Sequence, residues 1–160
     1  MPSPEPGVGV RTAEFVEVGG LPVRYAATGT GPPVILLHGL GRSLEDWEPL
    51  RAALSGYRLI AIDLAGFGQS QPLPDCRLAS LARHVEGTLD MLGVPSGAHV
   101  VGNSLGGAVA MRLATGAPHG WRHWHCSTAR GSAARSPGPC ASSAFRCSGG
   151  CFCVPMRTAR

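Results

Sequence analysis

A short strand pattern that turns at once into a helical pattern constrains this chain more than any other feature of its sequence. The stretch 97–116 reads GAHVVGNSLGGAVAMRLATG. Apolar residues dominate 98–101, as in a buried strand, and recur at helical spacing from Leu105 onward. One polar residue, Ser104, stands where the period changes. The stretch therefore predicts a strand that turns sharply into a helix at Ser104.

Glycines on either side of Ser104 fit the geometry of such a turn. A strand that enters a helix this abruptly brings the positions two before and two after the hinge close together, so both must lack a side chain. Gly102 and Gly106 occupy these positions. We expect the Ser104 hydroxyl at the carboxyl end of the sheet and at the amino end of a helix. Backbone N–H groups and the helix dipole there favour a developing oxyanion.

The rest of the chain up to residue 117 alternates strand and helix patterns. Glu14–Val18 and Leu21–Ala27 flank a Gly-Gly pair and predict a β-hairpin. Continuous apolar runs at Pro33–His38 and Tyr57–Ile62 are typical of strands covered on both faces of a parallel sheet. A helical pattern follows each of these two runs. This order predicts the α/β class, with a mostly parallel sheet and an antiparallel hairpin at one edge.

Three glycine-containing motifs follow three successive strands of the predicted parallel sheet. They are HGLG at 38–41, DLAGFGQS at 63–70 and GNSLGG at 102–107. The carboxyl ends of parallel strands meet at one edge, where open α/β sheets bind their ligands. In order and spacing the motifs resemble those of the α/β-hydrolase fold superfamily, over residues 14 to about 117. The family's later strands have no counterpart, so the resemblance implies a truncated α/β-hydrolase fold.

The resemblance implies a role for each residue that matches a family motif. Ser104 matches the nucleophile, and the backbone N–H groups of Leu105 and Leu40 match the oxyanion hole. Five further residues match positions that shape the site: His38, Gly39, Asp63, Gly102 and Gly106. The implied reaction is acyl transfer to Ser104 from a small ester or related carbonyl substrate, followed by hydrolysis, with no cofactor and no metal.

Two related chemistries stay open on the same motifs. GNSLGG at 102–107 also resembles relatives that cleave carbon–carbon bonds. Epoxide hydrolases share the general pattern, but they use a carboxylate nucleophile, which Ser104 argues against.

The sequence after Ser104 departs from the family pattern. In this fold the catalytic acid and then the histidine follow the nucleophile along the chain, yet no Asp or Glu follows Ser104. His119, His123 and His125 lie within about 20 residues of it, with no predicted strand to position an imidazole. We therefore expect impaired activity in the chain as written, and the alternative is a non-catalytic hydrolase remnant.

The segment 118–160 has an unusual composition. Arg, Ser, Gly, Ala, Pro and Cys make up 32 of its 43 residues, and it contains no Leu, Ile, Lys, Asp or Glu. Such a segment is predicted to be disordered, and the composition favours the hypothesis that a GC-rich gene is translated out of frame from about residue 117. Metal binding is a weaker alternative for the donors His119, His123, His125, Cys126, Cys147, Cys151 and Cys153. Without a further strand, the run at 98–102 would show an unprotected edge.

Charge and composition limit the classes of partner. Residues 1–117 carry eight Arg against ten acidic residues, while 118–160 carry six Arg and no acid, so the net charge of +4 belongs to the tail alone. We therefore expect a small-molecule substrate, no nucleic-acid partner and no membrane partner, and leave the oligomeric state open. Residues 1–13 are predicted to be a flexible N-terminus with no secretory signal, which makes a cytoplasmic location the expectation.

Overall fold

A six-stranded sheet with helices on both faces forms the centre of the molecule. The computed structural model of the chain describes residues 13–95, 98–116 and 123–127. The strands are β1 (Glu14–Val18), β2 (Leu21–Thr28), β3 (Pro33–Leu37), β4 (Arg58–Ile62), β5 (His99–Asn103) and β6 (His123–Ser127). The helices are a 3-10 helix (Leu44–Trp47), α1 (Glu48–Ala53), α2 (Leu78–Met91) and α3 (Leu105–Gly116).

The strands lie in the order β1-β2-β4-β3-β5-β6. β1 pairs with β2, and β2 with β4, in antiparallel fashion, whereas β3 is parallel to both β4 and β5, and β5 is parallel to β6. The predicted α/β class, a mostly parallel sheet with an antiparallel hairpin at one edge, is confirmed.

The edge hairpin turns at the Gly-Gly pair expected from the sequence. Gly19 and Gly20 have φ values of 58° and 80°. A two-residue hairpin turn with positive φ at both positions matches the twist of its strands, and glycine adopts it without steric cost. Glu14 to Val18 then pair with Tyr25 to Leu21 in register.

The central strands β3 and β4 are buried because both faces of the sheet are covered. Ile35, Leu36, Leu37 and Ile60 have no exposed surface. One apolar cluster lies between the sheet and helices α2 and α3. A second, smaller cluster lies between the sheet and the 3-10 helix with α1. Continuous apolar runs are the sequence signature of strands in this position.

The strand β6 contradicts two predictions from the sequence: that no strand follows residue 117, and that the strand at 98–102 has an unprotected edge. Residues 123–127 form a strand, and they pair with β5 from His99 to Asn103, so the edge of β5 is not open. Averaging composition over 43 residues hides a five-residue run that contains the strand-favouring Trp124. The rest of the predicted tail lies outside the described residues, as do residues 1–12.

The helical pattern that follows the run at Pro33–His38 forms two helices in the structure. A 3-10 helix ends at Trp47 and α1 begins at Glu48, with Pro49 in its first turn. Pro49 has no N–H to donate to the carbonyl of Glu45, so a continuous α-helix through this segment would lack one hydrogen bond. The longest described helix, α2, has 14 residues, and none of those described has the length and hydropathy that crossing a bilayer requires.

Replacing Gly106 with alanine tests the close packing of α3 on β3. A Cβ on Gly106 would collide with the backbone carbonyl groups of Leu37 and His38, neither of which can move without displacing β3. We expect Gly106→Ala to lower the free energy of unfolding by about 3 kcal/mol, measured by urea denaturation.

Gly87→Ala is the matched control for this change. Gly87 also lies in a helix, but its added Cβ would meet only the tip of the Val18 side chain, at 2.9 Å. The higher helix propensity of alanine offsets that contact, so the change should stay within about 1 kcal/mol. Equal effects of the two substitutions would contradict the close backbone packing at Gly106.

Candidate functional site

The turn between β5 and α3 is strained at a single residue, Ser104. Its φ of 50° is the only positive value among non-glycine residues of the described chain. A Cβ on Gly102 would collide with the backbone of Gly106, and one on Gly106 with the carbonyls at the end of β3. Ser104 is therefore held in a left-handed conformation by close backbone contacts on both sides of it, as strained functional residues are.

The first N–H groups of α3 differ in their partners. The Gly106 N–H donates to the His38 carbonyl at 3.1 Å, and the Ala108 N–H donates to the Ser104 carbonyl at 3.0 Å. The Leu105 N–H has no hydrogen-bond partner within the described residues. It lies directly after the exposed Ser104 side chain, at the positive end of the helix dipole.

A second unpaired N–H belongs to the loop after β3, called here the β3 loop (residues 38–47). The Gly39 carbonyl accepts hydrogen bonds from His38 Nδ1 at 2.8 Å and from the Arg42 N–H at 3.2 Å. In a trans peptide the next N–H points the opposite way, so the Leu40 N–H faces away from His38. A Cβ built on Gly39 would lie 3.6 Å from Ser104 Cβ. The loop thus runs past Ser104, and the Leu40 N–H has no partner within the described residues.

Both ring nitrogens of His38 are occupied. Nε2 accepts the Leu64 N–H at 2.9 Å, so the proton is assigned to Nδ1, which donates to the Gly39 carbonyl at 2.8 Å. The ring has no exposed surface and contacts Phe67 edge-to-face. His38 therefore has no free nitrogen to take a proton from Ser104, and it fixes the β3 loop instead.

Asp63 joins the β3 loop to the turn after β4, called here the β4 turn (residues 63–70). Its carboxylate, which has no exposed surface, accepts the Leu44 N–H at 2.7 Å and the Gln69 N–H at 2.9 Å. A Cβ on Gly68 would overlap the same carboxylate, so the turn closes tightly around it. The 4.0 Å approach of Asp63 to His38 is a contact between two structural groups and forms no catalytic dyad.

Arg24 is a site residue that the sequence analysis missed. It lies on β2, and its guanidinium donates to Glu45 in the β3 loop at 2.6 Å and to Asp63 in the β4 turn at 3.3 Å. These partners are 21 and 39 residues away along the chain. No local pattern carries a signal for such a contact.

A cavity of about 460 Å³ opens between the 3-10 helix and the end of β5. Its lining residues are Arg42, Glu45, Asp46, Trp47, Pro49 and Asn103. Trp47 Nε1 and Asn103 Oδ1 are buried atoms with no partner within the described residues. Both residues line the cavity, and Asn103 directly precedes Ser104 in the chain.

The histidines of β6 lie below the edge at which Ser104 stands. His123 pairs with His99, at the start of β5, and His125 pairs with Val101. Val101 lies two residues before Asn103, where β5 ends. The described residues contain no group of three or more His, Cys, Asp or Glu side chains that could hold a metal ion. Cys126, a further donor of the sequence-based metal alternative, pairs with Gly102 on β5, and His119, Cys147, Cys151 and Cys153 lie outside the described residues.

The described site thus combines a strained serine with two backbone N–H groups that have no partner. No described side chain forms a hydrogen bond with Ser104 Oγ, and the nearby His38 and Asp63 are committed to backbone groups. This arrangement can hold an oxyanion but brings no described general base to the hydroxyl.

Comparison with known sequences identifies related proteins. The family profile described as the alpha/beta hydrolase fold matches residues 32–127, and thus begins after the expected start at residue 14 and ends about ten residues after the expected end near 117. The dihydrolipoyllysine-residue acetyltransferase component of the acetoin cleaving system of Cupriavidus necator is 43% identical over 111 residues, covering 66% of this chain and 29% of that protein. The 2-hydroxy-6-oxo-6-(2'-aminophenyl)hexa-2,4-dienoic acid hydrolase of Metapseudomonas resinovorans is 36% identical over 103 residues, covering 61% of this chain and 35% of that protein.

Solved structures with the same fold include an epoxide hydrolase from Vigna radiata. It superposes with a TM-score of 0.67 and 29% identity, over 72% of this chain and 39% of that one. A putative lipase from Acinetobacter baumannii superposes equally well, with a TM-score of 0.67, and at 24% identity it supports the fold alone. The chain spans about a third of the length of the curated relatives above.

The ion pair at Glu45 predicts a loss of stability in acid. Hydrogen bonds from Ser43 and from Arg24 lower the pKa of Glu45 from about 4.5 to about 2. A depressed carboxyl pKa stabilises the fold above its unfolded value, and this contribution is lost as the pH falls from about 4.5 towards 2. Because the Glu45 side chain is 51% exposed, we expect less than about 1 kcal/mol at neutral pH.

Glu45→Gln should remove this increment. In urea denaturation the stability difference between the native chain and Glu45→Gln should be largest at pH 7 and should vanish towards pH 2. Asp90→Asn, an exposed substitution on α2, is the control. A difference for Glu45→Gln that does not change with pH would contradict the lowered pKa of Glu45 in the folded chain.

Proposed function

Because the chain belongs to the α/β-hydrolase fold family, we propose that it is a serine hydrolase in which Ser104 is the nucleophile for a small ester or related carbonyl substrate. The observation that carries this proposal is the strained Ser104 beside two backbone N–H groups that have no partner in the part of the chain that the structure describes. Backbone strain of this kind persists where the surrounding structure enforces it, and it is concentrated at functional sites.

The proposed reaction begins with attack of Ser104 Oγ on the substrate carbonyl carbon. A bond forms between oxygen and carbon while the carbonyl electron pair moves to its oxygen, and the hydroxyl proton passes to a base or to water. The N–H groups of Leu40 and Leu105 then donate to the oxyanion. Collapse of this intermediate expels the alcohol and leaves an acyl-serine, which water hydrolyses to the free acid.

The lack of a base beside Ser104 within the described residues limits the rate of this reaction. A serine hydroxyl is a weak nucleophile without an adjacent base, and the sequence contains no Asp or Glu after Ser104. Loss of triad members costs up to about a millionfold in rate, whereas an oxyanion hole alone retains roughly a thousandfold over water. We therefore expect the chain as written to turn over slowly.

Cleavage of a carbon–carbon bond is a second candidate reaction at the same serine. The relative from Metapseudomonas resinovorans, at 36% identity, is named as the hydrolase of a hydroxy-oxo-dienoic acid. The motif GNSLGG favours the same class. The cavity next to Asn103 is lined largely by polar and charged side chains, which would suit the polar groups of such an acid.

Opening of an epoxide is disfavoured in spite of the structural similarity to an epoxide hydrolase. That reaction, in this fold, uses a carboxylate nucleophile, and this chain has Ser104 between β5 and α3.

A non-catalytic hydrolase remnant is the alternative from a different class. It is favoured by the absence of an acid after Ser104 and by the commitment of His38 to the backbone. Such a protein would bind small acyl compounds without transforming them.

In either case we propose a small-molecule ligand, no cofactor and a cytoplasmic location. An out-of-frame origin for residues from about 117 stays a hypothesis that the coding DNA would test.

Labelling with a fluorophosphonate probe separates the hydrolase from the remnant. The probe forms a covalent bond to an activated serine oxygen, and the oxyanion donors stabilise the adduct. We expect slow labelling of the native chain at Ser104, read by intact mass and by peptide mass, and its complete loss in Ser104→Ala.

Ser55→Ala is the matched control, because Ser55 is exposed in the turn after α1 and precedes the strand–turn–helix segment that carries Ser104. It should label at the native rate. No labelling of the native chain above that of Ser104→Ala would reject the hydrolase and favour the remnant.

A further inference from the structure

We propose that Arg24 is a positioning residue for the oxyanion hole, acting through the two carboxylates that it joins. The inference rests on the proposed function of Ser104, because it concerns how the Leu40 N–H is presented to the substrate oxygen. Arg24 itself lies on β2, in the edge hairpin, and touches none of the reacting atoms.

Four hydrogen bonds tie Arg24 to the two loops around the site. Its guanidinium donates to Glu45 Oε1 at 2.6 Å and to Asp63 Oδ2 at 3.3 Å. Its backbone N–H donates to Ser70 Oγ at 2.9 Å, and its carbonyl accepts the Asp63 N–H at 2.9 Å. A single residue therefore contacts the β3 loop at one point and the β4 turn at both of its ends.

The planar guanidinium group of Arg24, with its forked N–H donors, is suited to binding two carboxylates in different loops. Arginine presents several N–H groups in a fixed plane and can bind two carboxylates at once, whereas the single ammonium group of lysine cannot match that geometry. The Arg24 side chain is 14% exposed, so its contacts are partly shielded from solvent. The Glu45 partner is more exposed, at 51%, and the Asp63 partner is fully buried.

The negative charge of the buried Asp63 requires a positively charged partner, and Arg24 on β2 supplies it. A buried carboxylate is costly unless it is paired and hydrogen-bonded. Asp63 accepts N–H groups from Leu44 and Gln69, and Arg24 is its charged partner within the described residues. His38 comes within 4.0 Å of it, but its Nε2 accepts the Leu64 N–H, so it supplies no positive charge.

Two series of hydrogen bonds connect Asp63 and its neighbour Leu64 to the β3 loop. Asp63 Oδ1 holds the Leu44 N–H at 2.7 Å, which fixes the far end of the β3 loop. The neighbouring Leu64 N–H holds His38, whose Nδ1 holds the Gly39 carbonyl and so sets the direction of the Leu40 N–H. Glu45 adds a third connection, directly from Arg24 to the β3 loop.

Removing Arg24 outright would leave the Asp63 charge without a partner and could unfold the chain. Two milder variants keep the proposal falsifiable. Arg24→Lys retains a positive charge beside Asp63 but loses the fork, and Glu45→Gln removes the charged partner in the loop while Arg24 and Asp63 stay paired. Arg83→Gln is the matched control, because Arg83 is an exposed arginine on α2 whose hydrogen bond within the described residues is to Ser80, away from the β3 loop and the β4 turn.

The first readout is the fluorophosphonate labelling rate of Ser104 at neutral pH. We expect Arg24→Lys and Glu45→Gln each to label on the order of tenfold more slowly than the native chain, because small displacements of a catalytic group are costly in rate. Arg83→Gln should label at the native rate. The double variant Arg24→Lys/Glu45→Gln should lose no more than either single variant, since both break one connection.

The second readout is hydrogen exchange at the Leu44 amide, which does not depend on any reaction at Ser104. Exchange at Leu44 should be faster in both single variants than in Arg83→Gln. If the native chain is not labelled, the proposed hydrolase function fails, and exchange alone then decides the positioning role. Native labelling rates in both variants, or strictly additive losses, or unchanged exchange at Leu44 would overturn the proposal.

Discussion

The close approach of three backbone segments around Ser104 is the constraint on which the rest of the structure depends. The Gly106 N–H reaches the His38 carbonyl at 3.1 Å, and the lack of a side chain at Gly102 lets α3 turn back against β5. Because β3 is parallel to β5 and adjacent to it, this contact also brings Gly39 to Ser104. The glycines thus determine where the serine, the helix end and the β3 loop meet.

Ion pairs and hydrogen bonds fix the β3 loop and the β4 turn. Asp63 is buried and binds backbone N–H groups from both loops, while Arg24 links it to Glu45. His38 completes the set by using both ring nitrogens on backbone groups. The described site therefore combines a strained serine with two backbone N–H groups that have no partner within the described residues, while His38 and Asp63 are committed to backbone groups.

Features set by local sequence could be predicted. The β-hairpin, the buried strands and the turn at Ser104 follow from apolar periodicity and from glycines at fixed offsets. The contacts of Arg24 could not be predicted, because they join residues 21 and 39 positions apart. The strand β6 was hidden by the composition around it, and the division of the helix after Ser43 depended on one hydrogen bond that Pro49 cannot make.

The central claim is that the Leu40 and Leu105 N–H groups converge on an oxygen bound next to Ser104. A crystal structure of the chain treated with a boronic acid tests this directly, because the tetrahedral boron adduct of a serine imitates the acyl-transfer intermediate. The account predicts a boron-bound oxygen within about 3.2 Å of both backbone nitrogens. An adduct oxygen that contacts only solvent, or a Gly39 carbonyl turned towards it, would contradict the account.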